Sequence, residues 1–568
     1  MSVLPLVFTS GWASGINAYA VVLLLGVFGA TGLTDEVPAS LQRTDVLIVA
    51  GVLFLCEVVA DKIRCRGPRR RRPPPARSRG HHRSDALTSL DRLSRMARIA
   101  VIGAGMGAMA TAARLAVAGH QVTVYERGDS YGGSVGRYEQ DGFSFDTGPG
   151  LLHLPAVYRD LFVKTGKRPL EDLVDMVQLD PAVRHVLGDT TVTLPGASRG
   201  GVAAALDGAF GNGAGERWNA VLGRARDTWD ATRRPLLEEP LRPDWQVLGR
   251  DPYPALRGSG LLRRRSPSLA EVAARELGGH LGELLAGRVR AYGLDPDAAP
   301  ASAAALPYME QTFGSWYVRG GMRELATAVY ERCLERKVTF AFATPVREVL
   351  ARGGRAAGVL LGDGTEAPAD SVVCGIDPRR LPAKSVSWPH GGAPARGDGV
   401  PARLTLLLAL RGARPADAVH RTLVHSPGLD VTVLRPDDPA TRPDADHEAV
   451  TVTAVCGPAG GAPVPDPEEL LDLAARAVPG LRSRMLWMRV RTPKDVEAAT
   501  GALGGSVPPP ALAGAGGRLL YPANATALPG LYLAGGWAHP GGGLAHAGMT
   551  GALVAGLIVE GDGFRGSQ

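Results

Sequence analysis

Aromatic residues are scarce in this 568-residue chain: Phe, Trp and Tyr together make up 5%. Proteins that read nucleic acids stack bases on such rings, so the composition argues against that class of partner. Cysteine is scarcer still. Cys56, Cys65, Cys333, Cys374 and Cys456 form no C-x-x-C pair and are odd in number. This argues against a zinc site and a disulfide framework, and for reduced structural thiols in a cytoplasmic body. Charge is missing altogether before Asp35. Acids are missing from Lys62 to Arg83, which holds ten Lys/Arg; the rest of the chain is therefore at −3, the +7 total less those ten. The basic balance belongs to one short segment, read as a solvated tail in preference to a nucleic-acid patch.

What is plentiful is glycine, 74 residues, within a chain that is 45% hydrophobic. That suits a glycine-rich α/β architecture built on Ala, Val and Leu, with length enough for two to four domains. The chain divides into three unlike pieces. In residues 1–63, Ile16 to Leu33 is an apolar stretch about as long as a membrane span, and Val46 to Cys56 is a second apolar run. No basic region precedes the first stretch, so it is a poor signal peptide. A helical membrane-type segment is expected, with a buried soluble helical hairpin as the alternative. The string SGWASGINAYAVVLLLG resembles the start of a family of small bacterial integral-membrane proteins of unknown function. Residues 64–95 are dense in Arg and Pro and too poor in apolar residues to bury a core, so they are expected to be disordered. Such a segment could hold anionic lipid. It could equally be a GC-rich gene read in the wrong frame, with Met96 as the natural start of the third piece.

From Met96 onwards, β-rich and helical runs alternate. Arg98 to Ile102 reads as a strand running into Gly103-Ala104-Gly105-Met106-Gly107-Ala108, followed by a helix expected from about Met109 to Ala118. This is a G-x-G-x-x-A turn. Gly103 permits the tight turn, Gly105 lets backbone approach a pyrophosphate, Gly107 lies in the same turn, and Ala108 keeps the helix close to the sheet. The helix N-terminus offers unpaired N–H groups and positive dipole charge to phosphates. Gln121 to Tyr125 forms the next strand, and Glu126 ends it 23 residues after Gly103. A carboxylate there accepts hydrogen bonds from ribose hydroxyls and repels a 2′-phosphate, so NADP is disfavoured.

The run from Tyr125-Glu126-Arg127 through Tyr131-Gly132-Gly133-Ser134 to Asp146-Thr147-Gly148-Pro149-Gly150 resembles the N-terminal signature of the flavin amine oxidase and phytoene desaturase superfamily. That family usually has Arg directly after the glycine pair; here Ser134 stands there and the next Arg is Arg137. A second block, Gly314-Ser315-Trp316-Tyr317-Val318-Arg319-Gly320-Gly321-Met322, resembles the family's W-Y-P-x-G-G-M. Thr344 to Val349 is similar to the strand over the flavin's adenine, with Val346 at the contact position. A hairpin turning at Asp363-Gly364 is expected after it. The third block, Leu531-Tyr532-Leu533-Ala534-Gly535-Gly536-Trp537-Ala538-His539-Pro540-Gly541-Gly542-Gly543, resembles the family's closing motif, with Leu544 opening a helix to about Val559.

The resemblance implies a two-dinucleotide-binding, Rossmann-like FAD fold with a separate α+β substrate domain. The expected division gives FAD-binding parts at 96–180, 314–400 and 511–568, and substrate-domain parts at 181–313 and 401–510. It further implies FAD as cofactor, held by Gly103, Gly105, Gly107, Ala108, Glu126, Arg127, Gly132, Gly133, Ser134, Gly148, Pro149, Val346, Gly535, Gly536, Gly543 and Leu544, and no metal. The implied activity is hydride transfer from a lipophilic polyene to flavin at the cytoplasmic face of a membrane. Isomerase, saturase or amine oxidase chemistry is the alternative, as is flavin binding without turnover. No general base is identified. Arg319 and His539 stand near the flavin motifs, His539 being read as held by backbone.

Overall fold

Parallel strands need crossovers, and the apolar strands that follow Met96 supply the interior of such a sheet. In the computed structural model, five strands lie parallel in the order Leu531–Leu533, Ser371–Cys374, Arg98–Ile102, Gln121–Tyr125 and Thr339–Ala341. Arg98–Ile102 is central and buried over four of its five residues, as its run of Ile, Ala and Val requires. The structure describes residues 96–254, 266–382, 385–386, 400–457 and 463–567. The expected apolar segment at 1–63 and the Arg/Pro-rich 64–95, with Cys56 and Cys65, lie outside the described residues. No helix of the described residues is long and apolar enough to cross a membrane.

The helix after the glycine turn, Met106–Val117, begins three residues earlier than expected, because Gly105 serves as its N-cap and Gly107 lies inside its first turn. Its small residues Ala108, Ala110, Ala112 and Ala113 are buried, so it packs closely against its neighbours. Glycine marks two contact points. A Cβ on Gly375 would lie 2.7 Å from the Ala108 Cβ, and one on Gly551 would lie 2.8 Å from the Ala110 Cβ. The second contact brings in the C-terminal helix Leu544–Glu560. A small antiparallel sheet, Val346–Arg352, Arg355–Leu361 and Glu366–Pro368, sits between Thr339–Ala341 and Ser371–Cys374 in sequence; its last turn holds Asp363 and Gly364, as expected.

A second body is built on a seven-stranded sheet: Met485–Arg491, Ala402–Arg411, His447–Cys456, Val431–Leu434, Arg421–His425, Val183–Leu187 and Thr190–Leu194. All its pairs are antiparallel except Arg421–His425 with Val183–Leu187. Helices Arg199–Phe210, Ala214–Arg233, Gly279–Arg290 and Ala305–Phe313 contribute to one apolar core with Val183, Leu187, Val192 and Leu194. Helix Pro467–Ala475 contributes to another core with strands of the same sheet. Cys333, Cys374 and Cys456 are free and buried, and burial pushes the Cys374 thiol up to about 12.

Candidate functional site: a glycine-walled crevice

The crevice opens at the carboxyl end of Arg98–Ile102. Gly103 has φ +87°, and a Cβ there would lie 2.9 Å from Ile376 Cγ2, so the turn requires glycine. Gly105 is different: its φ is −72° and a Cβ would meet nothing within 4 Å. Its missing side chain leaves the backbone bare to open space. The glycine pair packs onto this turn. Gly132 N donates to Ala104 O at 2.8 Å, and a Cβ on Gly133 would lie 3.0 Å from Gly105 Cα. A Cβ on Gly148 would collide with the Ser134 carbonyl. Gly133, Ser134, Gly148, Pro149 and Gly543 are exposed, although they adjoin buried positions.

Two helix N-termini meet here. A Cβ on Gly107 would lie 2.6 Å from Gly535 Cα and 2.7 Å from Ala547 O, so the first turns of Met106–Val117 and Leu544–Glu560 are in contact. Both are capped by glycine, Gly105 and Gly543, and neither receives a side-chain cap. Uncapped first-turn N–H groups from two helices, each with positive dipole charge, make an anion site. Gly535 (φ +87°) donates its N–H to Thr550 Oγ1 at 2.9 Å, and Gly536 packs against Gly542 and Pro508.

Glu126 organises the turn as well as facing it. Its carboxylate accepts from Ala104 N at 2.7 Å and from Gly128 N at 2.8 Å. A carboxylate has lone pairs for further donors, so a ribose can share it. Val346 packs in the same apolar cluster as Tyr125, one residue before Glu126. Arg127 is not directed at the crevice turn; it is exposed and donates to Ala498 O at 2.6 Å.

Several residues that hold the site were not legible as such. Arg323 donates to Tyr131 O, to Val135 O at 3.2 Å and to Ser130 Oγ at 2.6 Å, and lies over the Tyr131 ring at 4.0 Å. It thus fixes the loop around the glycine pair. Its position directly after Gly320-Gly321-Met322 was the available signal. Arg137 does not replace the family's Arg at Ser134; it donates to Gly320 O at 2.7 Å and Glu324 Oε1 at 2.6 Å. Asp146 accepts from Met322 N at 2.8 Å, and burial pushes its carboxyl up to about 6. Asp438 accepts from Tyr317 Oη at 2.9 Å and Gly320 N at 2.6 Å. Asp146, Gly148, Gly150, Tyr317 and His420 line a small cavity of about 40 Å³.

His539 is fully buried, with Nε2 2.9 Å from Glu239 O, and burial lowers it to about 4. It is neutral and tied to backbone, though to that of a distant segment and not of its own turn. Arg319 pairs with Asp175 at 3.2 Å. The aromatic residues that could wall an amine site are otherwise engaged. Trp316 Nε1 donates to Phe313 O at 3.0 Å, Tyr317 to Asp438, and Trp537 lies under Arg379 at 4.1 Å.

The sequence model of the flavin containing amine oxidoreductases matches residues 109–559. The chain belongs to that family. It is a flavin-dependent oxidoreductase, and the residues present fit FAD: a bare Gly105 backbone, two uncapped helix ends and a strand-end carboxylate. A separate domain of unknown function, DUF4126, matches residues 4–65, in keeping with the resemblance of that segment. Among relatives of this flavin oxidoreductase is a hydroxyneurosporene desaturase of Cereibacter sphaeroides, 29% identical over 523 positions that cover 81% of this chain and 97% of that enzyme. A 4,4′-diapolycopene oxygenase of Methylomonas sp is 30% identical over 49% of this chain and 56% of that protein. A zeta-carotene-forming phytoene desaturase of Myxococcus xanthus is 30% identical over 49% and 53%. The chain thus spans about half the length of these last two relatives. Putrescine oxidase bound to putrescine has the same fold, at 14% identity and TM-score 0.54, over 82% of this chain and 99% of that one.

Proposed function

We propose that this protein is an FAD-dependent desaturase of a lipophilic polyene. The reading is carried by the match to a hydroxyneurosporene desaturase along 97% of that enzyme. A buried apolar cluster at the start of the C-terminal helix is in keeping with it. Leu154, Val157, Leu237 and Met309 pack with Trp229 and Tyr292 against Ala545 and Met549 of that helix. A hydrocarbon offers no charge to grip, so apolar surface must supply the binding and exclude water. When bound, FAD supplies the acceptor for a C–H hydride. The chain's part is to hold it. The amides of the two helix N-termini would hold the pyrophosphate, Glu126 the ribose and Val346 the adenine, and Gly133, Ser134, Gly148 and Pro149 would leave room for the remainder. On this reading 96–180, 314–400 and 511–568 make the FAD-binding half, and 181–313 with 401–510 the substrate half. A substrate of this solubility would be met at a membrane surface.

The test is anaerobic titration of the purified yellow protein. A phytoene-type polyene in detergent micelles should bleach the flavin band, and a diamine should not. Bleaching by the amine alone would replace this reading with amine oxidation.

A further inference from the structure

Glu283, His425 and Asp430 lie outside the crevice and have no part in the reading above. Glu283 is on helix Gly279–Arg290, His425 ends strand Arg421–His425, and Asp430 precedes the antiparallel strand Val431–Leu434. One ligand atom from each, a carboxylate oxygen, a ring nitrogen and a carboxylate oxygen, lies within 4.8 Å of the other two. The helix can come this close because position 287 is glycine. A Cβ there would overlap the His425 ring and lie 3.2 Å from Asp430 Oδ2.

The pairing inside this set is incomplete. His425 Nδ1 and Asp430 Oδ1 face each other at 3.5 Å, both are buried, and neither has any other hydrogen-bond partner. His425 is 4% exposed and the Asp430 side chain 9%. Buried polar atoms are seldom left so, because each forfeits its bond to water. The other nitrogen of His425, Nε2, lies 2.9 Å from His185 Nδ1. With the proton on Nε2 and donated to His185, Nδ1 turns a lone pair towards the Asp430 oxygen. Two acceptors then confront each other, and a cation between them turns repulsion into ligation. An imidazole that gives its second N–H to an outer partner is the usual arrangement of a metal-bound histidine. Arg290 holds the two carboxylates meanwhile, donating to Asp430 Oδ2 at 2.5 Å and to Glu283 Oε1. Its side chain is 33% exposed, at the end of its helix.

We propose that Glu283, His425 and Asp430 form a divalent-cation site of the zinc class, with Arg290 as the counter-ion that the metal displaces. Two carboxylates balance the ion's charge. Three nitrogen and oxygen ligands leave a fourth position open, as zinc accepts. Glu283 and Arg290 border a surface groove of about 480 Å³, which also touches Gly282, Ala286 and Ser426. Zinc bonds of about 2.1 Å set tetrahedral ligand atoms roughly 3.4 Å apart, so the set, now within 4.8 Å, closes by up to about 1.4 Å on binding. The bound ion would clamp the helix to the sheet. It would take no part in electron transfer, since zinc has no accessible second oxidation state.

The test uses the tag-free, flavin-loaded full chain, stripped with chelator and titrated with Zn²⁺ against a chromogenic chelator. Co²⁺ serves as an optical probe of four-coordination. We expect one equivalent of Zn²⁺ and the intense visible bands of tetrahedral cobalt. Glu283→Gln, at a 43% exposed side chain, should lose both while keeping its flavin spectrum. His185→Phe should bind roughly 10- to 100-fold more weakly. Arg290→Ala should bind more tightly than the parent, because the competitor is gone. Failure to bind a stoichiometric ion, wild-type affinity in Glu283→Gln, or unchanged affinity in Arg290→Ala would each overturn the proposal and leave the group a plain ion-pair cluster.

Discussion

Glu126 carries two tasks that separate on mutation. It accepts from the backbone amides of Ala104, in the glycine turn, and of Gly128, and on the reading proposed above it also accepts from the ribose hydroxyls. Hydrogen bonds to a charged group contribute roughly 1.5–3 kcal/mol, which is about ten- to hundredfold in affinity. Glu126→Ala should weaken FAD by at least that factor. Ser134→Ala should cost about 1 kcal/mol or less, since a short hydroxyl offers one neutral bond. Flavin fluorescence titration of the two variants ranks them; equal losses would mean that the acid is not on the ribose. Asp146 gives a pH signature. Its carboxyl titrates near 6 in the fold and at 3.8 ordinarily, burial being the main cause. The folded state therefore binds this proton more tightly. The stabilisation is fully present below about pH 4 and is lost as pH rises through 6. Asp146→Asn keeps an acceptor for Met322 N and removes the buried charge. It should match the wild type at pH 4 and exceed it by about 2–3 kcal/mol at pH 8. Urea unfolding midpoints at the two pH values test this, and a constant difference would refute it.

Among the elements, the crossing of Met106–Val117 with Leu544–Glu560 separates what the fold needs from what the ligand needs. Gly105→Ala places its Cβ in open space at an ordinary φ. The apoprotein should unfold at the wild-type denaturant midpoint while flavin retention drops, because the methyl occupies the pyrophosphate's approach. Gly107→Ala drives a methyl onto Gly535 and Ala547. Overpacking of this kind costs about 1–3 kcal/mol, so both stability and flavin should suffer. These glycines were legible because a strand, a turn and a helix stand adjacent in sequence. The helix start was misplaced for the same reason: Met106 and Gly107 look like loop, yet Gly105 caps the helix ahead of them. Long-range elements left no such trace. Glu310 is buried with Arg288 at 2.8 Å, Arg421 at 3.1 Å and Tyr292 at 2.7 Å. Against burial, which pushes it up, the guanidiniums of Arg421 and Arg288 hold its carboxyl well below the usual range. Nothing in the local pattern around residues 288, 310 or 421 announces that they meet. The parallel pairing of Val183–Leu187 with Arg421–His425 is likewise set by closure of the whole sheet and not by periodicity.

For the molecule as a whole, the two family matches fall on separate stretches, residues 4–65 and 109–559, and the first strand of the flavin-binding sheet begins at Arg98. A chain beginning at Met96 should therefore fold and bind FAD with the stoichiometry of the full chain. Gel filtration with absorbance at the flavin band reads the result. An insoluble product, beside a soluble full-length holoprotein, would show that the first 95 residues are integral to the fold.

The order of the five-stranded sheet also sets a timetable for biosynthesis. Leu531–Leu533 and the helix after it emerge roughly 430 residues behind Arg98–Ile102; at about 5–20 residues per second that is some 20–90 s of translation. Until then one edge of Ser371–Cys374 has no neighbour, and the Gly107–Ala110 face of the first helix has nothing to lie against. The nascent protein thus carries a bare strand edge and a small-residue apolar face past the ribosome exit, a period in which chaperones have something to hold. On the proposed reading FAD can enter only once Leu544–Glu560 has emerged, because that helix supplies half of the pyrophosphate cradle. Messages truncated shortly before codon 531 should yield aggregated, colourless product, however intact their glycine turn.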